Sequence, residues 1–537
     1  MNRGKAITVL LLGFGVALAW ASCRQPADPA ASRDARPPEL AHFGPYDAGM
    51  NLREAYESLP RGGGERIGLR LIVPNMEAWS ARWRLLEQAR ETLDISYFIV
   101  REDFFGAAFL GHLLAKARQG VRIRLLLDAQ GSSMAGLSPR GNDWLDALAN
   151  TGNVAIKLYR PLANRYLEAL FTLNPVAAVA SEHDKIVVVD GRRGMIGGRN
   201  ISAEYFAHPS DMKDAFEDTD LILTGRSIAD ALTQAFESQY DSAGARKLPA
   251  ERVDLADFAD ELTLAYRTMD AWIKGRPLDE FVQAATERKL AWPDEMKRYA
   301  RLRGTYAARE PPDTVAETRI LDSRTRLEAR GDVIGEGLAR LVQSASREIL
   351  VQSPYLVLSE GAVATLEAAG RRGVRITIIT NSPISSDNAL SQAFFLEQWP
   401  ELLARVPGLR IFVAGRPRNI HSKVAVFDDE VALVGTYNLD PVSMAVNSEI
   451  MAAVWSRAFA RLAAAHPREQ IAEGPPGLYE YRIERTASGQ PVRGKDGRPV
   501  VAFGPKDHTS PSDWRKVQAY WAMLRAAEKL PGLAPLF

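Results

Sequence analysis

At 537 residues, 46% hydrophobic and 25% charged, the chain has room for two or three globular domains and is not a disordered or low-complexity protein. A net charge of +1 excludes an overall basic field of the kind that gathers nucleic acid. The single cysteine, Cys23, excludes any internal disulfide.

The chain opens with Arg3 and Lys5, an uncharged apolar run from Ala6 to Trp20, the small residues Ala21-Ser22, and then Cys23. So short a run with small residues at its end reads as an export signal over residues 1–23 rather than a membrane span. The boundary resembles the lipid-attachment box of bacterial lipoproteins, with Trp20 departing from the usual aliphatic residue three places before the cysteine. That resemblance implies lipidation of Cys23 and a place on the periplasmic side of a bacterial membrane. Residues 24–64, rich in Pro, Ala, Asp and Gly and without periodicity, are expected to form a flexible tether.

A first α/β domain is expected over residues 65–250. Leu93 to Val100 reads as a strand, Phe104 to Gln119 as an amphipathic helix closed by Gly120, and Val121 to Leu127 as a second strand. The apolar stretch from Tyr166 to Ala180 suits either the lining of an acyl-chain entrance or a buried loop and strand. Residues 251–315, helical in pattern and bearing Trp272 and Trp292, read as a linking helical insertion. A second domain over 316–475 repeats the order of the first: a strand from Glu348, a helix ending at Arg372-Gly373, and a strand from Val374 to Ile379. Gly120-Val121-Arg122-Ile123 and Gly373-Val374-Arg375-Ile376 match closely, which points to a duplicated α/β layer fold. Residues 476–537 are expected to give a hairpin from Leu478 to Phe503 and a helix from Asp513 to Lys529. The stripe on that helix (Trp514, Val517, Trp521, Leu524) suits a membrane surface or, by default, docking on its own domain.

The chemistry-bearing pattern also occurs twice. His183-Asp184-Lys185 runs into Ile186 to Asp190, and His421-Ser422-Lys423 runs into Val424 to Asp428, each copy being His-x-Lys-x4-Asp. After equal gaps come the glycine-led turns Gly197-Gly198-Arg199-Asn200 and Gly435-Thr436-Tyr437-Asn438. Side chains alternate across a strand, so His183 and Lys185 share a face while Glu182 and Asp184 point the other way; His421 and Lys423 share a face likewise. Paired imidazoles, ammonium groups and carboxamides in matched settings suggest one site built from two half-domains, suited to an anionic phosphate ester.

On these residues the chain from about Leu69 to Trp455 resembles the phospholipase D superfamily, whose signature is a pair of His-x-Lys-x4-Asp motifs, and within it the bacterial type C cardiolipin synthases. Further stretches carrying the resemblance are Asp218-Thr219-Asp220, Thr380-Asn381-Ser382, and Asn438 to Pro441 with Asn447-Ser448-Glu449. The resemblance implies two homologous α/β/α half-domains packed pseudo-twofold around one active site without metal or cofactor. It implies that His183 attacks phosphorus to form a phosphohistidine, and that His421 serves as general acid and then base. Lys185, Lys423, Asn200 and Asn438 would donate to the nonbridging phosphate oxygens. Asp218 and Glu449 would orient the histidines. Asp190 and Asp428 belong to the catalytic motif, with a structural role in the following turn favoured over direct chemistry. Val442 and Gln392 stand where the type C pattern carries arginine and histidine. The implied activity is cardiolipin synthesis, with phospholipase D hydrolysis or a metal-independent nuclease as alternatives. The expected partners are phospholipid substrates and a bacterial membrane surface, not nucleic acid, and the expected state is a monomer.

Overall fold

The computed structural model describes residues 43–45, 47, 49–132, 139–161, 165, 180–248, 255–306, 314–324 and 331–528. The export signal, Cys23 and the apolar stretch between Tyr166 and Val179 lie outside the described residues. Among the described residues no helix is long and apolar enough to cross a membrane. The chain divides into an N-terminal unit, Gly62–Leu167 with Ser181–Ile320, and a C-terminal unit containing Leu321–Phe537 and the described part of Met1–Arg61.

The strands of the N-terminal unit are β1 (Gly63–Ile72), β2 (Thr92–Tyr97), β3 (Arg122–Asp128), β4 (Val154–Tyr159), β5 (Ile186–Val189), β6 (Arg193–Gly197), β7 (Asp220–Thr224), β8 (Ala245–Lys247) and, as far as Ile320, β9 (Thr314–Ser323). They hydrogen-bond in the order β9-β1-β7-β6-β5-β2-β3-β4-β8. Only β2, β3 and β4 run parallel, joined by crossovers through the helices Phe104–Arg118 and Pro139–Ala149. Asp103 caps the first of these helices by accepting from the Gly106 amide at 2.8 Å. Odd-numbered residues of β3 face a core of Trp79, Trp83, Phe105 and Phe109, whereas Leu126 packs with Phe236 of the helix Arg226–Tyr240 on the opposite face. The expected insertion comprises the helices Ala256–Ile273, Asp279–Glu287 and Trp292–Arg298. Its Trp292 stacks on Phe104 at 5.4 Å, so the segment is part of the core rather than a plain linker.

The C-terminal unit holds β10 (Glu348–Gln352), β11 (Arg375–Thr380), β12 (Leu409–Ala414), β13 (Val424–Phe427), β14 (Val431–Gly435), β15 (Glu449–Trp455), β16 (Leu478–Ile483) and β17 (Val501–Phe503). Their order is β15-β14-β13-β10-β11-β12-β16-β17, again with one parallel trio, β10-β11-β12. Strand for strand this repeats β7-β6-β5-β2-β3-β4-β8, so the duplication is one of topology as well as motif. Its crossovers are the helices Glu360–Arg371 and Ala389–Arg405.

One expectation is corrected here. Residues 43–61, read as the end of a tether, pack into the C-terminal unit through the helix Leu52–Glu57. Tyr56 is fully buried there, and Arg340 donates to the Gly44 carbonyl at 2.9 Å. The short sequence between prolines and glycines hid an Asn51/Glu54 capping box that starts this helix. The final helix, Pro511–Glu528, packs on Ala389–Arg405 with Val517 buried, which is the docking on its own domain expected by default.

Candidate active site

In each unit the motif histidine lies just before the strand that pairs with the first parallel strand. In the N-terminal unit Asp128, at the end of β3, accepts from the Glu182 amide at 2.9 Å and pins the residue preceding His183. Arg165 pairs with the same buried carboxylate at 3.4 Å. In the C-terminal unit Asn381, just past β11, does the equivalent work. It accepts from the Ile420 amide at 2.9 Å and donates to the Ile420 carbonyl at 2.8 Å, next to His421. Sequence reading noted Asn381 only as part of a family stretch and missed Asp128; superposing the two halves would have paired them.

His183 to Lys185 lie just ahead of β5 rather than within it. Glu182 accepts from Ser96 at 2.6 Å, while His183 sits edge-on to Phe98 at 4.9 Å and Lys185 lies 5.4 Å from the same ring. Lys185 donates to the His183 carbonyl at 2.6 Å, and Lys423 makes the same contact with the His421 carbonyl. Lys423 also lies 2.8 Å from the His421 Nδ1. His183, Lys185, His421 and Lys423 are all buried.

Asn200 is braced on both sides: its carboxamide oxygen accepts from the Ile99 amide at 3.0 Å and its nitrogen donates to the Tyr205 hydroxyl at 2.9 Å. Asn438 is buried too, and its Oδ1 lacks a hydrogen-bond partner among the described residues. The turn at Gly198 passes directly over the Asp218 carboxylate, where any Cβ would collide with both oxygens, so glycine is required. Thr436 replaces that glycine in the second copy and donates instead, to Glu449 at 2.5 Å, while Ser443 donates to the other Glu449 oxygen at 2.6 Å. Burial pushes the neighbouring Asp440 carboxyl up to about 6, against the pull of the Ser443 amide.

The motif aspartates are placed elsewhere. Asp190 accepts from the amides of Arg90, Glu91 and Thr92 at 2.8–2.9 Å, and Asp428 from those of Ser346, Arg347 and Glu348 at 2.8–2.9 Å. Both adopt positive φ, +50° and +53°, in the turn after the motif strand. Each stands a full strand, on the order of 13 Å, from the lysine end of its motif. This is the structural role in the following turn that their place at the motif ends favours over direct chemistry: they tie the strand end to the segment entering the first parallel strand. The two departures from the type C pattern lie together as well. Val442 packs against Leu390 and Phe394, and Gln392 is buried on the same helix.

The domain family described as cardiolipin synthase, PLD-like domain, matches residues 83–240 and 338–469, more than half of the chain and both motifs. The chain belongs to this family. It is 26% identical over 489 residues to cardiolipin synthase C of Escherichia coli, covering 87% of this chain and 95% of that protein. It is 25% identical over 382 residues to a cardiolipin synthase of Geobacillus kaustophilus, covering 71% of this chain and 62% of that longer protein. The crystal structure of phosphatidylserine synthase from Haemophilus influenzae shares the fold, with a TM-score of 0.57 at 11% identity over 90% of this chain and 98% of that one.

Proposed function

We propose that the two half-sites act on one phosphorus atom and that the chain transfers phosphatidyl groups between phospholipids, as a cardiolipin synthase. The observation carrying this reading is the equivalence of the halves: His-x-Lys runs into a strand at matching places in two copies of one sheet, and in each copy the histidine, the lysine, the asparagine and the acid that follows it (Asp218, Glu449) are buried. His183 would form the phosphohistidine, breaking the bond to the donor's alcohol, which takes a proton from His421. His421 would then accept the proton of the incoming lipid hydroxyl as that oxygen displaces the histidine. Lys185, Lys423, Asn200 and Asn438 would hold the nonbridging oxygens as their charge grows. Asp218 and Glu449 would fix the imidazole tautomers. Family membership and the similarity to cardiolipin synthases support a lipid acceptor over water or nucleic acid. Anchorage through Cys23 on the periplasmic side of a membrane, and action as a monomer, belong to the same proposal.

Incubation of purified protein with labelled phosphatidylglycerol and phosphatidylethanolamine, with and without chelator, tests it. Cardiolipin on thin-layer separation, undiminished by chelator, is the expected product. Phosphatidic acid alone would make the chain a hydrolase, and no lipid product with nicking of DNA would replace the reading by a nuclease.

A further inference from the structure

The C-terminal unit contains a cavity of about 260 Å³ between its sheet and the helices Val333–Ser344 and Glu360–Arg371. Its floor follows from strand alternation. Lys423, Ala425 and Phe427 lie on one face, with Val351 and Ile349 beside Ala425 and Phe427, and all five line the space. The row runs from the motif lysine to the far end of the sheet, roughly 13 Å along the strand. At the lysine end stand Asp332 and Tyr437; the remainder of the wall is mostly apolar, with Gln352, Ser353, Ser359 and Thr365 as its other polar residues.

The N-terminal unit shows why the space exists. Ile95 pairs with Val187 as Val351 pairs with Ala425, and counting back without a gap sets Trp79 opposite Gly335 and Trp83 opposite Ala339. Counting back from the shared Gly-Val-Arg-Ile sets Phe109 opposite Ala362, and counting on from the motif asparagines sets Phe206 opposite Met444. All four aromatic residues are fully buried in the first unit, and all four of their replacements line the cavity in the second. Ile95 is 0% exposed, whereas its counterpart Val351, on a central strand, remains partly accessible. A globular core rarely leaves such a void, and an apolar cavity of roughly 150 Å³ already admits a benzene-sized hydrocarbon while staying dry.

We propose that this cavity receives a hydrocarbon chain, the acyl tail of a phospholipid whose phosphate is held at the lysine end. The arrangement of polar groups fits such an amphiphile: the Lys423 ammonium, with Asp332 and Tyr437 beside it, at one end of a mostly apolar slot. This rests on the phosphatidyl-transfer reading for the identity of the amphiphile.

The test uses Ala339→Trp and Ala362→Phe, which restore the aromatic residues of the first unit, in the full chain. Gly335 is unsuitable, because a Cβ there would strike the Asp332 carboxylate. Binding is read with the fluorescent fatty acid cis-parinaric acid, displaced by dioleoyl- or dihexanoyl-phosphatidylglycerol. The expected result is saturable binding by the native protein, displacement by the long-chain lipid alone, and at least tenfold weaker binding by each variant, with melting temperatures not lowered. The same variants should raise KM for dioleoyl-phosphatidylglycerol at least fivefold and leave dihexanoyl-phosphatidylglycerol unaffected. Should one variant fail to fold, Leu366→Phe replaces it. Undiminished binding by folded variants would overturn the proposal, as would displacement by both lipids alike. Loss of all lipid turnover in the native protein would sink the transfer reading, while the binding measurement would still decide whether the slot takes a chain.

Discussion

Beneath the motif lysine the two units have built different interiors on the same sheet. In the N-terminal unit Arg199 and Arg82 converge on the buried Asp220 at 3.1 and 3.3 Å, and aromatic rings fill the remaining volume. The matched positions in the C-terminal unit are Tyr437, Leu338 and Met451, and Tyr437 donates instead to Asp332 at 2.7 Å. The difference teaches that the duplicated backbone and its pinned motif ends preserve the chemistry-bearing row. The floor under that row was free to become a sealed polar knot in one half and an apolar slot in the other.

The comparison can be broken or sharpened by variants placed at equivalent positions. The largest effect is expected at the histidines: His183→Ala and His421→Ala should each lower turnover by more than about 10³-fold with unchanged circular dichroism. Substantial activity in either variant would dissolve the equivalence of the halves. Phosphate trapped on protein in native enzyme and lost in His183→Ala would show that the halves take different roles.

Next in size is the sealed knot. Arg199→Met leaves the Asp220 carboxylate fully buried with one cation fewer and should cost about 3–5 kcal/mol in urea denaturation. Tyr437→Met, at the corresponding place, removes a hydroxyl rather than a charge and should cost clearly less. Equal losses would contradict the contrast drawn between the two floors.

The motif aspartates should behave alike. Asp190→Ala and Asp428→Ala each strip the acceptor from three backbone amides, and a loss of about 1–3 kcal/mol is expected from each. The folded fraction should keep its turnover per site; a collapse of kcat in a stable variant would return these residues to the chemistry.

The smallest expected effect is a pH dependence confined to the C-terminal floor. Burial pushes Asp332 up to about 7, against hydrogen bonds from Tyr437 and Gly335. A carboxyl raised above its unfolded value of about 3.9 adds stability below that value, and this contribution is lost as pH rises through 7. Asp332→Asn should therefore flatten the fall in melting temperature between pH 4 and 8. The counterpart position in the N-terminal unit is Met76, which cannot titrate. An unchanged pH profile in the variant would show that Asp332 is not held protonated.

Much of the site was legible because its signals are local. The His-x-Lys repeat and the equal spacing to Asn200 and Asn438 are read directly off the chain, and all six residues are buried. Other features had no local signal. The helix Leu52–Glu57 sits in a stretch whose composition reads as tether, and its stability comes from burying Tyr56 against the distant β15. Asp128 carries no such signal, because what it holds, the Glu182 amide, lies far along the chain.

Sequence alone determined the duplication, the twin motifs and the α/β class, because periodicity and spacing are properties of neighbouring residues. The tertiary structure decided what lies under each motif, from the Arg199–Asp220 knot to the slot beside Lys423. Those interiors are made by side chains far apart in the chain, and whether a tryptophan or a glycine faces a strand matters only once a helix has been laid across it.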